Sequence, residues 1–310
     1  MPHSASFVLV AALTYRRIQL LDQCLASLAG QQPGPGWTGA ILIVDNDGDG
    51  SARDLVHAWQ GHFALPLSYE IEPERGISQA LNRVIAHALA IGADCIAFLD
   101  DDETAEAGWL QHLTEAIQTS GAHAVHGPVL QHPVDCPGSW WQQKPPAELA
   151  ELAELPIVFT NNVIFSTVLV RDWGLRFDPL FALTGGGDRE FFLHARQRGA
   201  VYRWSNQARV HETVPRERQS LAWQLRRSFR SAASRVVIER RHLGARAGRR
   251  FLWKGPQRLL GGLVRLPFLP LAWLGGKRAW QRAVFKSFSA IASGLGMLAG
   301  LVNYNIQMYR

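Results

Sequence analysis

Short β-rich runs alternate with helical patterns through the N-terminal third of the chain, and this alternation constrains the fold more than any other feature. Strands are predicted over residues 7–13, 40–44, 67–71 and 95–99, and helices over residues 18–28, 52–59 and 77–90. Strands and helices in this order build right-handed βαβ units around a mostly parallel sheet. We therefore expect an α/β fold, Rossmann-like, with helices on both faces of its central sheet.

Each of the first three predicted strands ends in polar residues. They are Thr14, Tyr15, Arg16 and Arg17 after the first, Asp45, Asn46 and Asp47 after the second, and Glu74, Arg75 and Gly76 after the third, with Asn82 and Arg83 farther along the next helix. The carboxyl ends of parallel strands meet at one edge of the sheet, where open α/β proteins bind ligands. The sequence therefore predicts a binding site at this edge.

The fourth strand ends in three consecutive carboxylates, Asp100, Asp101 and Asp102, with Glu103 just after them. Clustered carboxylates repel one another unless a cation or hydrogen-bond donors neutralise them, and Mg2+ takes oxygen ligands and bridges to phosphates. The run predicts a metal and diphosphate site. If the segment is extended, Asp100 and Asp102 point the same way and Asp101 points away. The alternative is an acidic loop that caps a helix predicted over residues 105–119.

Taken together, these turns resemble those of the family 2 glycosyltransferases of the GT-A fold. That family carries a T-Y-N-R-like first turn, a V-D-[ND] second turn, an N-x-G…A-R-N stretch and a D-x-D motif. Here the same positions read T-Y-R-R, V-D-N, R-G-I-S-Q-A-L-N and D-D-D, in matching order and spacing. The resemblance continues through residues 184–190 and 210–212. Two departures are Gly187, where the family often has Glu, and Leu81, where Arg is common.

The resemblance implies a nucleotide-diphosphate-sugar donor, most often a UDP-sugar, held with Mg2+ or Mn2+. Asp102 then ligates the metal, and Asp100 contacts the metal or the ribose. His211 approaches the metal or the diphosphate, or is a structural histidine. Asp45 resembles the carboxylate that accepts a hydrogen bond from uracil, and the alternative is an Asx turn. The candidate donor-binding residues are Thr14, Tyr15, Arg16, Asp45, Asn46, Arg75, Gly76, Asn82, Asp100 and Asp101. Arg75 and Arg83 either meet phosphate or form surface ion pairs.

On the acceptor side, Asp188 resembles the general base of an inverting transfer, and Glu190 is the alternative because it lies two residues later. Asp188 is also a good helix N-cap for a helix predicted over residues 189–198. We expect Asn161 and Asn162 to face the acceptor. The proline-rich segment 135–156, which follows a strand predicted over residues 124–130, is expected to cover it. Processive members of the family carry Q-x-x-R-W, whereas residues 219–223 lack the arginine, which favours transfer of a single sugar.

The net charge of +6 is divided unevenly along the chain. Residues 216–310 hold 19 Lys and Arg against Glu217 and Glu239, while residues 1–215 hold 13 against 24 acidic residues. The chain has three cysteines, an odd number, and they lack metal-ligand spacing. Neither a set of disulfides nor a metal site is indicated, so we expect a reducing, cytosolic compartment. The N-terminus lacks the pattern of a secretion signal. We therefore predict a catalytic domain over residues 1–215 and a basic helical region over residues 216–310.

The basic region is also rich in Leu and Trp, and residues 287–309 contain no charged side chain. An interfacial or re-entrant helix pair at an anionic membrane fits better than a full transmembrane helix. Trp253, Trp273, Trp280 and Tyr304 would then lie at headgroup depth. A helical subdomain packed on its own core is the alternative.

The resemblance is greatest to non-processive bacterial enzymes that extend lipid-linked repeat units of exopolysaccharides. It implies a polyprenyl-diphosphate-linked saccharide as acceptor and a peripheral or monotopic enzyme at the cytoplasmic face of the inner membrane. A nucleotidyltransferase is a rival, although its usual Gly-rich basic loop is missing after the first strand. A non-enzymatic binder of membranes or nucleic acid would leave the acidic run without a purpose. We expect no nucleic-acid partner.

Overall fold

A computed structural model describes residues 6–34, 36–142 and 149–303 of the chain. Its strands are β1 (Ser6–Thr14), β2 (Trp37–Asp45), β3 (Leu67–Ile71), β4 (Cys95–Phe98), β5 (Glu103–Ala105), β6 (Ala124–His126), β7 (Val129–Pro133), β8 (Val163–Ser166), β9 (Tyr202–Trp204) and β10 (Val210–Val214). Its helices are α1 (Ile18–Ala29), α2 (Arg53–Ala58), α3 (Ile77–Ala90), α4 (Trp109–Ser120), α5 (Val168–Arg171), α6 (Gly187–Gln197), α7 (Leu221–Leu243), α8 (Ala245–Leu263), α9 (Leu269–Ala272) and α10 (Lys277–Leu301). Single 3-10 turns cover Pro179–Phe181, Arg216–Gln219, Leu266–Phe268 and Trp273–Gly275.

The central sheet has seven strands in the order β3-β2-β1-β4-β8-β6-β9. Strands β1 to β4 pair in parallel, as β6 does with β9, whereas β8 runs antiparallel to both of its neighbours. A second sheet of three strands has the order β5-β10-β7. The prediction of a mostly parallel sheet flanked by helices is confirmed.

Alternate residues of each strand pack against helices on opposite faces of the central sheet. Val8 and Val10 of β1 join a core with Leu21 of α1 and Leu113 of α4. Leu9 and Ala11 join a core that contains Val84 and Ile85 of α3 together with Phe191 and Phe192 of α6. Burial on both faces explains why the strands read as nearly continuous apolar runs.

Two local predictions are wrong. The helix expected from residue 105 begins at Trp109 instead, because Glu103–Ala105 forms β5 and pairs with β10. The single strand expected over residues 124–130 is divided into β6 and β7. The division falls at Gly127, where an added Cβ would lie 2.0 Å from the Ala208 carbonyl oxygen, and at Pro128.

The chain divides into two compact units. Unit 1 comprises residues 1–132, 145–182 and 187–213, and contains the central sheet. Unit 2 comprises residues 133–144, 183–186 and 214–310, and contains α7 to α10. Its core includes Ala232 and Val236 of α7, Phe251 of α8 and Met297 of α10.

One helix among the described residues, α10, is long and apolar enough to cross a membrane. Its most apolar window has a mean hydropathy of 1.4, and 39% of that window is buried within the protein. Length and composition alone are weak support for a span, because core helices pass the same test. The predicted headgroup residue Tyr304 lies outside the described residues.

Candidate active site

The polar ends of β1 and β4 meet because the two strands are neighbours in the sheet. The Thr14 hydroxyl donates a 2.9 Å hydrogen bond to Oδ2 of Asp101. Nη1 of Arg17, just before α1, lies 3.0 Å from Oδ1 of Asp101 and 3.3 Å from Oδ2 of Asp102. We call residues 100–103 the acidic turn. Residues at the exit of the first strand therefore hold Asp101 and Asp102 of this turn.

The acidic turn is tight rather than extended. The Glu103 amide donates to the Asp100 carbonyl at 3.0 Å, and the Asp100 amide donates to the Glu103 carboxylate at 3.1 Å. In this geometry Asp101 faces Thr14 and Arg17, so the expectation that it points away is wrong. Asp100 is exposed, whereas Asp101, Asp102 and Glu103 are buried.

Burial dominates the electrostatics of the acidic turn. It raises the pKa of Asp101, and the neighbouring Asp102 raises it further, while Arg17 opposes both effects. Burial likewise raises the pKa of Glu103 well above its ordinary value, and the charge of Asp100 adds to this. A site with these properties favours a cation, and its carboxylate oxygens are the hard ligands that Mg2+ and Mn2+ prefer.

Within the described residues, no three His, Cys, Asp or Glu side chains are grouped so as to hold a metal ion. Mg2+ is commonly held by one or two carboxylates and completed by substrate phosphates and water. Asp100 and Asp102 can supply such a pair.

His211 is poorly placed for the metal role that was predicted. Its Nε2 lies 2.9 Å from Oε1 of Glu106, and its Nδ1 lies 2.8 Å from Nε2 of His132 on the adjacent strand. Both ring nitrogens are thus occupied, and coordination would require one contact to break. The contacts favour the structural alternative, and the metal role of His211 stays a prediction.

In the turn after β2, the Asp45 carboxylate contacts groups of the protein itself. Asp45 is fully buried, and its carboxylate accepts hydrogen bonds from the amides of Asp47 and Ala52 at 3.0 and 2.8 Å. It also accepts one from the Tyr69 hydroxyl at 2.8 Å. Asp45 therefore stabilises its own loop, as an Asx turn does, and its contact with uracil stays a prediction.

Asn46 and Asn82 also serve the protein's own backbone. Asn46 donates to the carbonyls of Glu72 and Glu74 and accepts from the Gly76 amide, so it fixes the approach to α3. Asn82 donates to the Phe177 carbonyl at 2.8 Å and accepts from the Phe177 amide at 2.9 Å. Both side chains thus hold backbone segments together, and their contact with the nucleotide stays a prediction.

The basic residues of this edge have two different surroundings. Arg83 forms ion pairs with Glu72 and Glu70 at 3.2 and 3.8 Å, the surface alternative left open by the sequence. Arg16 and Arg75 stack over the ring of Tyr15, with their guanidinium carbons 5.3 and 4.8 Å from its centroid.

Arg16 also pairs with Asp47 at 2.8 Å and has a positive φ of 56°. The strained backbone at Arg16 directs it towards the second turn. The next residue, Arg17, contacts Asp101 and Asp102 of the acidic turn instead.

Asp188 lies in the first turn of α6 and accepts a 2.7 Å hydrogen bond from the Arg189 amide. Burial raises its pKa. The loop before α6 passes the N-terminus of α3, where the Ile77 amide donates to the Ala182 carbonyl at 3.1 Å. An added Cβ on Gly187 would lie 3.4 Å from the Ser78 hydroxyl. These contacts place Asp188 near the N-terminus of α3, which follows the carboxyl end of β3 in the chain. Glu190 is buried.

The two asparagines predicted to face the acceptor differ. Asn162 is buried, accepts from the Trp109 indole at 2.7 Å and donates to two backbone carbonyls, so its role is structural. Asn161 lies 3.5 Å from the Glu103 carboxylate and therefore borders the acidic turn.

Arg17 and Glu103 are the site residues that sequence reasoning undervalued. Both belonged to the predicted turns, T-Y-R-R and the acidic run. The contacts of Arg17 depend on the pairing of β1 with β4, and those of Glu103 depend on the tight conformation of the acidic turn.

Comparison with known proteins identifies the chain. The sequence profile described as "Glycosyl transferase family 2" matches residues 10–177. The succinoglycan biosynthesis protein ExoM of Rhizobium meliloti (strain 1021) is 32% identical over 247 residues, covering 78% of this chain and 79% of ExoM. The chain belongs to glycosyl transferase family 2.

The fold of this family 2 glycosyltransferase is shared with crystal structures of S. aureus TarS. The TarS 1-349 structure covers 94% of this chain and 90% of its own length, with a TM-score of 0.56 and 13% identity. Its complex with UDP-GlcNAc gives the same coverage, a TM-score of 0.52 and 14% identity. These similarities establish the GT-A-like fold of the chain, and the family predicted from the sequence is confirmed.

Proposed function

We propose that this family 2 glycosyltransferase transfers one sugar from a UDP-sugar to a hydroxyl of a lipid-linked saccharide, with inversion, in exopolysaccharide synthesis. The observation that carries the proposal is the acidic turn, whose Asp101 and Asp102 are buried and held by Thr14 and Arg17. The name of ExoM supports the pathway. TarS has been crystallised with UDP and with UDP-GlcNAc, which supports a uridine nucleotide as donor.

Asp102, assisted by Asp100, is the proposed holder of Mg2+ or Mn2+. When bound, the ion would neutralise charge that develops on the leaving diphosphate. Asp101 keeps the turn in position, since its two oxygens already accept from Thr14 and Arg17. Tyr15 and Arg75, stacked at the same edge, are proposed to border the donor.

Asp188 is the proposed base. Its carboxylate takes the proton of the acceptor hydroxyl while the hydroxyl oxygen bonds to the anomeric carbon. The bond from that carbon to the diphosphate oxygen breaks, and attack from the opposite face inverts the linkage. A raised pKa makes a carboxylate a stronger base, which suits this role.

The acceptor is proposed to be a polyprenyl-diphosphate-linked saccharide at the cytoplasmic face of the inner membrane. Unit 2 supports this because its basic sequence and exposed apolar helices suit an anionic lipid surface. The enzyme would then be peripheral or monotopic.

The test is a thermal-shift panel of UDP-sugars, each with and without Mn2+ or Mg2+, followed by a UDP-release assay. A ligand that binds the folded state raises the Tm by mass action. Asp102→Asn should weaken metal-dependent binding about 10-fold or more. Asp54→Asn, an exposed aspartate of α2, is the matched control and should behave as wild type.

Unchanged affinity in Asp102→Asn would refute the metal assignment. Release of pyrophosphate from a nucleoside triphosphate would instead identify a nucleotidyltransferase.

A further inference from the structure

Unit 2 exposes large apolar side chains along a continuous part of the sequence. Among the described residues, 13 of the 18 exposed large hydrophobic side chains lie between Leu243 and Val302. Single exposed apolar residues are ordinary, but a contiguous group of them marks an interaction surface.

Helix α8 has three distinct faces. Phe251, Gly255 and Gly262 are buried and share one face by their spacing of four and seven residues. The second face is exposed and apolar, and we call it the α8 apolar face: Leu252, Trp253, Pro256, Leu260, Leu263 and Val264. The third face is exposed and basic, with Arg250, Lys254 and Arg258 four residues apart. An amphipathic helix with a basic flank is typical of a helix lying in a membrane interface.

The connection from α8 to α10 continues the apolar surface. We call residues 266–275 the apolar tip. Phe268, Leu271, Trp273 and Leu274 are exposed there, and Leu274 reaches 86%. The tip is flanked by Arg265 on one side and by Lys277 and Arg278 on the other. Apolar side chains bordered by cations suit insertion between lipid headgroups.

Helix α10 packs closely against two other helices of unit 2. An added Cβ on Gly296 would lie 2.1 Å from the Phe229 carbonyl oxygen of α7. One on Gly294 would lie 2.7 Å from the Leu259 amide of α8. The small residues therefore allow two helices to approach α10 closely. Arg240 of α7 also donates to the Leu301 carbonyl at the end of α10.

These contacts bear on whether α10 spans a bilayer. Helix α7 contains six arginines, and a spanning α10 would carry them towards the hydrocarbon. Each buried arginine costs roughly 2.5 to 3.5 kcal/mol on insertion scales. The packing thus favours α10 as a bundle helix that stays outside the hydrocarbon core.

We propose that the α8 apolar face and the apolar tip insert into one leaflet of an anionic lipid bilayer, while α10 does not cross it. The proposal deepens the membrane-side function proposed above by naming the surface and its depth. Charge complementarity selects the lipid: no acidic residue follows Glu239, while the basic face of α8 and Arg278, Arg282 and Lys286 of α10 are exposed. A second copy of the chain could cover the apolar side chains, but it would bring basic rows together.

The first experiment is flotation of the full chain with vesicles of phosphatidylcholine, with or without phosphatidylglycerol. Binding should require the anionic lipid and weaken only partly in high salt. The double variant Leu271→Gln, Leu274→Gln should lose about tenfold or more of the binding, including the salt-resistant part. Leu180→Gln, at a leucine of unit 1 that is 62% exposed, is the matched control and should float as wild type.

The second experiment measures depth with a water-soluble maleimide added outside the vesicles, in a Cys136→Ser background. Bound Leu274→Cys should react slowly, and Asn303→Cys, just beyond α10, should react as fast as it does without vesicles. Protection of Asn303→Cys would show that α10 crosses. Equal flotation of the double variant and wild type would also overturn the proposal.

Lipid-independent dimers in sedimentation velocity, combined with no flotation, would identify a second copy as the occupant and overturn the proposal. A UDP-dependent thermal shift retained by the double variant shows that it is folded. Because flotation needs no donor, failure of the UDP-sugar assays leaves this test readable, and failure of flotation leaves the assignment of the donor site intact.

Discussion

Replacing Arg17 by Gln tests whether the acidic turn is held by a cation. Nη1 of Arg17 contacts Asp101 at 3.0 Å and Asp102 at 3.3 Å. A hydrogen bond to a charged group contributes about 1.5 to 3 kcal/mol. Because the Arg17 side chain is 42% exposed, we reduce the combined contribution of both contacts to about 1 to 3 kcal/mol. For a unit of about 200 residues, this corresponds to a Tm lower by roughly 2 to 12 °C.

Divalent cations give the experiment its second arm. Without Arg17, two buried carboxylates lack their neighbouring guanidinium, so Mn2+ or Mg2+ should restore more stability to the variant than to wild type. Differential scanning fluorimetry without nucleotide measures both effects. Arg171→Gln is the matched control, since this arginine forms an exposed pair with Asp172 and should leave the Tm nearly unchanged.

Two results would refute this reasoning. If Arg17→Gln melts like Arg171→Gln, the contacts with the acidic turn do not stabilise the folded unit. If Mn2+ shifts the variant no more than wild type, the carboxylates do not take a cation in place of the guanidinium.

Three further predictions concern the base, its pH dependence and the α3 region. Asp188→Asn should lower kcat roughly 100-fold or more with donor affinity retained, and a larger loss in Glu190→Gln would reverse the assignment. Burial raises the pKa of Asp188, and only its ionised carboxylate can accept the acceptor's proton. As the pH is lowered, kcat/KM should therefore fall with an apparent pKa above the ordinary aspartate value of about 3.9. A fall in kcat/KM with an apparent pKa at or below that value would contradict this. Asn82→Ala should lower the free energy of unfolding, measured with urea, by about 1 to 3 kcal/mol, because the N–H and C=O of Phe177 lose their hydrogen bonds to the Asn82 side chain. If the Asn82 side chain is structural, the affinity for UDP should stay unchanged.

The sequence predicted the first four strands closely because their signals are local. The expected strand over residues 7–13 is β1 (Ser6–Thr14), and the expected strand over residues 95–99 is β4 (Cys95–Phe98). Apolar runs and helical spacing are properties of neighbouring residues, so they can be read without knowing the fold. The order of these elements likewise predicted the parallel sheet, and the four turn motifs predicted the family.

The roles of individual polar side chains were less predictable. Asp45, Asn46 and Asn82 matched motif positions, yet each is used by the protein's own backbone. A carboxylate or an amide in a turn can bind a ligand or hold the turn, and the residue type is the same in both cases.

The order of residues and the predicted strands were enough to place the carboxylates at one edge of the sheet. Which side chains they contact there follows from the folded arrangement of distant segments. Asp101 meets Thr14 across 87 residues and Arg17 across 84, and the tight turn closed by Glu103 directs it there. Contacts of that separation depend on strand pairing and on the backbone conformation at Arg16, neither of which is set by the residues adjacent in sequence.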